Sequence, residues 1–487
     1  VKTRTYASAM VYLASGALAK EQLGTDTPIF NKLFYNVRGQ LAEIRESTSY
    51  TGATDTSGDR GAIINHYSNQ AGCRGASCNA TDNNGNLRRQ EVYIPRPDST
   101  DWDNFAQFYE YDALNRLQSV RENENGGAVQ WQQQYVYDRY GNRTIDYNHT
   151  SSDIPRPQFS VNPSNNRLGV PSGQTGVLSY DAAGNLTNDT YTGNGSRIYD
   201  AENRMIAATE SISGQTSTYT YDGDGRRARR SVNGQESWQV YGMGGELLAE
   251  YDITYRNVAH HTVRQVNLSK EYGYRNGQLL ITAAVPASVL CGTYDACGAS
   301  PPEEIGPIGE LESGAGGPIQ WLVTDQLGTP RMIFDQSGSL AGVSRHDYLP
   351  FGEELFAGTG GRTVSQGYGA ADGVRQKFTS KERDIETGLD YFGARYFFIN
   401  ARALHLTRYS RQGELTIHKL GTGSITFWET FRSSLIRLIF SNTLRAHQAT
   451  TSNALTKHTM TSSPLRVSTR SALKNLTPLT RAQQSQY

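Results

Sequence analysis

Tyr111-Asp112-Ala113-Leu114-Asn115-Arg116-Leu117 is the stretch on which the fold turns, because the chain writes it repeatedly. It returns as Tyr137-Asp138-Arg139-Tyr140-Gly141-Asn142-Arg143, Tyr180-Asp181-Ala182-Ala183-Gly184-Asn185-Leu186, Tyr199-Asp200-Ala201-Glu202-Asn203-Arg204-Met205 and Tyr221-Asp222-Gly223-Asp224-Gly225-Arg226-Arg227. Weaker copies stand at Tyr35–Leu41 and Thr81–Leu87, so the array starts near the first residues. The template is Tyr-Asp-x-x-Gly/Asn-Asn/Arg followed by Leu, Met or Arg. Copies lie about 19 to 46 residues apart, too irregular for a propeller or a strict solenoid.

Each position has a physical task. Tyr ends an incoming strand with its ring on the buried face, and Asp accepts backbone N–H groups two or three residues on, which opens a turn. Gly or Asn supplies the positive φ that closes a hairpin, and the apolar residue after it starts the return strand. Between copies the chain alternates as a half-buried strand does, as in Gln133-Gln134-Tyr135-Val136-Tyr137. Successive hairpins hide their edges by pairing with one another, which predicts an extended, curling antiparallel sheet.

Composition agrees with an all-β chain. Hydrophobic residues make up 37%, while 49 Gly, 29 Tyr and many Asn/Asp turns suit short strands better than helices. The formal net charge of zero hides a division. Residues 399–487 hold 12 Lys and Arg against 2 Asp and Glu, a charge of +10, so the remainder carries −10.

No run approaches the roughly 18 to 20 apolar residues that span a bilayer, and Val1 opens without a basic start and apolar signal core. The chain begins in mid-pattern, so a preceding segment is expected. The cysteines form two close pairs, Cys73/Cys78 and Cys291/Cys297, which read as local disulfides of an exported protein, with free thiols as the alternative. A metal site built on Cys73, Cys78 and His66 lacks a second ligand pair.

At residues 318–396 the chain carries denser motifs: Trp321-Leu322-Val323-Thr324-Asp325-Gln326-Leu327-Gly328-Thr329-Pro330-Arg331, Asp347-Tyr348-Leu349-Pro350-Phe351-Gly352-Glu353, Lys377-Phe378-Thr379-Ser380-Lys381-Glu382-Arg383-Asp384 and Thr387-Gly388-Leu389-Asp390-Tyr391-Phe392-Gly393-Ala394-Arg395-Tyr396. With the Tyr-Asp repeats, these strings resemble the Rhs/YD-repeat family and its Rhs-associated core, a family that includes bacterial Rhs proteins, toxin-complex C subunits and the shells of teneurins.

The resemblance covers roughly residues 6–398. It implies a spiralling shell of hairpins closed by the core, enclosing a variable C-terminal effector, in a secreted or cell-surface protein. The expected organisation is YD repeats over 1–290, a loop over 291–317 rich in Pro and Gly, the core over 318–398 and a variable tail over 399–487.

The family also implies a self-cleaving aspartyl site carried by Asp-Pro-x-Gly motifs just past the core. Asp390 is the last aspartate here, so no residue of that motif can be placed and self-cleavage is not expected.

The tail departs from the family where Phe397-Phe398-Ile399-Asn400-Ala401-Arg402 begins. Codons compatible with residues 397–409, read one base later, give Phe-Ser-Ser-Thr-Gln-Gly-Arg-Phe-Thr-Ser-Pro-Asp, the continuation that the family leads one to expect. A frameshifted tail, irregular or disordered, is therefore the reading. The alternative is a basic toxin domain acting on nucleic acid, but residues 441–487 hold no acid, and His405, His418, His447 and His458 have no metal-ligand spacing.

Other candidates for chemistry are weak. Asp222-Gly223-Asp224-Gly225 opens like a calcium loop but continues with Arg226 and Arg227, so a hairpin turn is preferred. His260-His261 sits in a polar strand-like run. No nucleophile triad, phosphate loop or dinucleotide fingerprint stands out. The expectation is a non-enzymatic chain with no catalytic, cofactor-binding or metal residue and no cofactor. Its partners would be its own effector and, under an adhesion reading, glycans or a target-cell surface, with no nucleic acid bound by the repeats.

Overall fold

The structure, a computed structural model, describes residues 5–404 apart from 71–72, 74–80, 98, 212, 259–260, 286–318, 370–371, 394 and 399–402. Among these residues the chain is strand and turn, with three short 3-10 segments. Strands follow one another in sequence order in a ten-stranded antiparallel sheet running from Ala7–Tyr12 to Arg143–Ile145. A thirteen-stranded sheet then runs from Leu178–Tyr180 to Val343–Arg345. Ser160–Val161 and Leu168–Gly169 form a small ladder between them in the chain, and a four-stranded sheet begins at Glu382–Asp384.

The template builds the turns by one hydrogen-bond scheme. Asp112 N–H donates to the Arg116 carbonyl and Asn115 N–H to that of Asp112, while the Asp112 carboxylate accepts the N–H groups of Leu114 and Arg116. The carboxylate thus reaches two and four residues on, slightly further than the sequence suggests. The fifth position takes the left-handed conformation, with φ of 59° at Asn115, 61° at Asn203 and 84° at Gly141. Only Gly and Asn adopt it readily. A register shift places Tyr111 opposite Leu117, which gives a type I turn followed by a bulge.

The same scheme forms where Asp is absent. Leu13 and Gly242 occupy its position in Tyr12–Leu18 and Tyr241–Leu247, and Asn162 does so in a copy one residue longer that ends at Leu168. These copies escape a search for Tyr-Asp because the backbone bonds, not the carboxylate, define the turn.

Neighbouring copies are joined by side chains as well as by the ladder. The first-position hydroxyl donates to the carbonyl of the seventh residue of the copy before it: Tyr35 to Leu18, Tyr111 to Leu87, Tyr137 to Leu117, Tyr180 to Leu168, Tyr221 to Met205 and Tyr241 to Arg227, over 2.6–3.0 Å. Tyr67 makes the same bond to Leu41, so it fills the tyrosine place of the Thr81–Leu87 copy across an inserted loop.

The sixth residue supplies a second link. Where it is Arg, the guanidinium lies over the next tyrosine, 4.4 Å from the ring centre for Arg116 over Tyr137 and 5.1 Å for Arg204 over Tyr221. Where it is Asn, its amide donates to an Asn at the fifth position of the next copy: Asn86 to Asn115, Asn142 to Asn166 and Asn185 to Asn203. The Asn142–Asn166 and Tyr180–Leu168 bonds carry this linkage from the first large sheet to the second, where the backbone ladder breaks.

The two large sheets share a core. Leu23, Ile29, Ile44 and Ile63 of the first pack on Ile281, Ile319, Trp321, Met332 and Phe334 of the second, and all are buried. In the second sheet the contributing residues are two apart along a strand, as in Ile319, Trp321 and Val323 or Met332 and Phe334, because alternate side chains face the interface. The indole N–H of Trp321 donates to the Tyr6 carbonyl at 2.7 Å, tying the first strand to the late strands of the second sheet.

Of the expected organisation, residues 291–317 and 405–487 lie outside the described residues, and with them the loop, nearly all of the tail and its histidines.

Candidate functional site

Residues 346–398, hereafter the closing segment, lie against both large sheets; Tyr368 clusters with Val92, Ile94 and Phe105 of the first, and Leu389, Tyr391 and Tyr396 with Met205, Ala208 and Tyr219 of the second, and buried charge runs through the same contact. Arg362 is 1% exposed, yet it donates from both terminal nitrogens to Glu122 of the first sheet at 2.6 and 2.7 Å, and from Nε to Asp347 at 2.9 Å. Glu122 also accepts from the Trp131 indole at 2.7 Å and from Gln107 at 2.9 Å. Asp347 accepts from Arg331 and from the Tyr368 hydroxyl, each at 2.6 Å. Arg331 in turn donates to Gln90 at 2.8 Å. Burial alone would raise the Asp347 pKa, but Arg362 and Arg331 outweigh it and hold the carboxyl well below the usual range.

A tight turn brings Arg362 into place. Gly360 has φ of 58°, and a Cβ there would stand 2.6 Å from Glu122 Oε1 and 2.9 Å from Trp131 Cδ1. The backbone therefore approaches the sheet closely only because position 360 carries no side chain.

On the second sheet the anchor is Arg227, fully buried at the seventh position of its copy, where most copies carry Leu or Met. It makes a two-pronged pair with Asp384 at 2.6 and 2.9 Å and approaches Glu382 at 3.1 Å. The Tyr391 ring lies 4.5 Å away, and the Tyr391 hydroxyl accepts the Arg227 backbone N–H at 2.9 Å. Arg230 pairs with Glu386, and Arg375 bridges Glu382 to Glu250 of the second sheet.

These surroundings split the carboxylates. Burial raises Glu382, but Arg375 and Arg227 outweigh it and lower its pKa to about 2. At Asp390 burial wins over Arg383, whose Nε is 2.8 Å away, and the pKa is raised to about 6. His346 is gripped at both ring nitrogens, by Glu354 at 2.5 Å and Asp372 at 2.6 Å. Burial works against its proton, yet the two carboxylates prevail and the pKa is raised.

This arrangement is a lock. Its carboxylates are consumed in ion pairs, and among the described residues no three His, Cys, Asp or Glu side chains gather as a metal site. Buried pairs of this kind add little net stability against an apolar core, but removing one member leaves an uncompensated buried charge and costs several kcal/mol.

The residues singled out in the sequence fall elsewhere. Asp222 accepts the N–H groups of Asp224 and Arg226 as a hairpin turn does. His66 is buried against Glu91 at 3.0 Å. Cys73 is disulfide-bonded, while Cys78, Cys291 and Cys297 lie outside the described residues, as does His260. In the sequence, Arg331, Asp347, Glu382, Asp384 and Tyr391 stand out only as motif residues and Glu122 and Arg362 not at all, although a charged Arg227 at a mostly apolar template position was a visible sign of pairing.

The RHS Repeat family matches residues 199–236. Among curated proteins, tRNA nuclease WapA of Bacillus subtilis (strain 168) is 31% identical over 170 residues, 34% of this chain and 6% of the relative. The tRNA3(Ser)-specific nuclease WapA of Bacillus spizizenii is 31% identical over 177 residues, 35% of this chain and again 6% of the relative. The matches thus span a small part of those proteins. Among solved structures, the TcdB2-TccC3-Cdc42 structure aligns over 81% of this chain and 19% of that one, at 16% identity and a TM-score of 0.45. The TcdB2-TccC3-TEV structure has the same coverage, at 15% identity and a TM-score of 0.41.

Proposed function

We propose that this chain, which belongs to the RHS-repeat family, is a non-catalytic scaffold of an exported toxin-type protein, in which the hairpin array encloses and presents the polypeptide that follows the closing segment. The observation that carries this reading is the double anchorage of that segment. Arg362 ties it to the first sheet and Arg227 to the second, so whatever follows residue 398 leaves from a fixed point on the array. An Rhs-associated core seated in this way has the role of an end plug. The disulfide at Cys73 favours an oxidising compartment. Among the described residues no helix is long and apolar enough to cross a membrane.

Limited proteolysis tests the reading on the full chain. Residues 399–487 carry 12 Lys and Arg, so an enclosed tail is cut by trypsin slowly in the native protein and quickly in an Arg227→Met/Arg362→Met variant. Equal, immediate cleavage of the tail in both proteins would rule out enclosure.

A further inference from the structure

Three neighbouring strands of the first sheet, Leu18–Leu23, Ile29–Tyr35 and Leu41–Ser47, carry a polar row across an otherwise apolar face. Asn31 stands directly opposite Glu21 on one side and Glu46 on the other, so the three side chains leave the sheet on the same face. It is the inter-sheet face, because Leu23, Ile29 and Ile44, two residues away on the same strands, belong to the shared core. None of the three reaches solvent: Glu21 and Glu46 are 0% exposed and Asn31 5%.

This row is short of donors. Asn31 Nδ2 donates to Glu21 Oε1 at 2.8 Å, and Arg275 of the second sheet donates to the same oxygen. The Asn31 amide thus spends its N–H groups on Glu21 and presents Oδ1 on the side of Glu46. Glu21 Oε2, Asn31 Oδ1 and both carboxyl oxygens of Glu46 are buried and accept from no group. The cations around Glu46 are engaged elsewhere. Lys32 and Arg45 leave the opposite face and pair with Asp55 at 3.2 Å and Glu43 at 2.7 Å, while Arg60 and Arg345 donate to backbone carbonyls. An ionised carboxylate buried without a donor is far costlier than a neutral acid. Burial, reinforced by Glu21, pushes the Glu46 pKa well up, and Lys32 and Arg275 offset this only in part.

We infer that Glu46 is a neutral acid in the folded chain, that its O–H donates to Asn31 Oδ1, and that this Glu46–Asn31–Glu21 relay makes the inter-sheet contact sensitive to pH. The relay ends on Arg275, so it spans both sheets. Once Glu46 is ionised, one amide has two carboxylates to serve: it stays on Glu21 and sets Oδ1 against a charge, or turns to Glu46 and gives up Glu21. Either way the first sheet loosens from the second as pH rises. This inference is independent of the enclosure reading.

The test uses the full chain and Glu46→Gln, whose side-chain amide donates to Asn31 Oδ1 at every pH. At pH 6, where an ordinary glutamate is ionised, the infrared difference spectrum of parent minus variant is expected to show the carbonyl band of a carboxylic acid. A neutral acid held by the fold stabilises it fully below the ordinary glutamate range, and that contribution is lost as pH rises toward the folded value. Hydrogen-exchange protection of Leu18–Leu23 and Leu41–Ser47 in the parent, divided by that in the variant, therefore falls by up to about tenfold per pH unit above about pH 5, the slope of one proton. Glu46→Leu, apolar like its neighbours, is the reference if the glutamine variant does not fold. Carboxylate bands at pH 6, or a protection ratio that stays flat, overturn the inference. So do bands that shift when divalent ions are chelated, since a bound cation would then stand in the proton's place.

Discussion

Asp390 and Glu382 sit eight residues apart in the same four-stranded sheet and titrate in opposite directions, because one is governed by burial and the other by two guanidinium groups. For Asp390 the folded pKa of about 6 exceeds the unfolded value of about 4, so its contribution to stability is fully present below about pH 4 and is lost as pH rises through 6. Glu382 has the reverse sign, losing its contribution as pH falls toward 2. Asp390→Asn removes the first effect alone. Its stability relative to the parent, measured by urea unfolding, should gain about 1–3 kcal/mol between pH 4 and pH 7. Parallel curves for parent and variant would contradict that assignment. These opposite shifts were not legible in the sequence, where Asp390 stands out as a motif residue and the last aspartate but its depth depends on how the sheets pack around it.

At the scale of the element, the hairpins were readable because the template is local. Asp112, Asn115 and Arg116 act within one turn, and their spacing is enough to place it. The link between turns was not readable, since it couples positions in different copies at irregular distances. It predicts that the Asn and Arg forms are interchangeable only in pairs. Asn185→Arg or Asn203→Gly alone should destabilise the sheet, while the double change restores an Arg/Gly pair. A double-mutant cycle followed by thermal unfolding should return a coupling of about 0.5 kcal/mol or more. Strict additivity would mean that the Asn185–Asn203 bond is incidental.

At the scale of the whole described unit, the all-β class followed from composition and repeats, whereas the packing did not. The inter-sheet core takes only one to three residues from a strand, too few to reveal their partners, and Ile44 joins the cluster of Trp321 and Phe334 only once the chain has folded back. The closing segment was harder still. Many of its Arg, Asp and Glu residues stand out in the sequence as motif residues without assigned partners, and only the fold brings them together as a buried seam. A motif-rich stretch with unusual charge among its aromatics was the available hint, in Arg331, Asp347, Arg383 and Asp384.

The central claim is that the buried ion pairs of this seam fix how the closing segment seats on the array. Native-state hydrogen exchange on the full chain, parent against Arg227→Met, addresses it directly. The expected result is a loss of protection confined to Glu382–Asp384 and Leu389–Tyr391, with Trp102–Tyr111 and Leu117–Glu124 of the first sheet unchanged. Unaltered protection at Glu382–Tyr391, or an equal loss throughout both large sheets, would contradict the account.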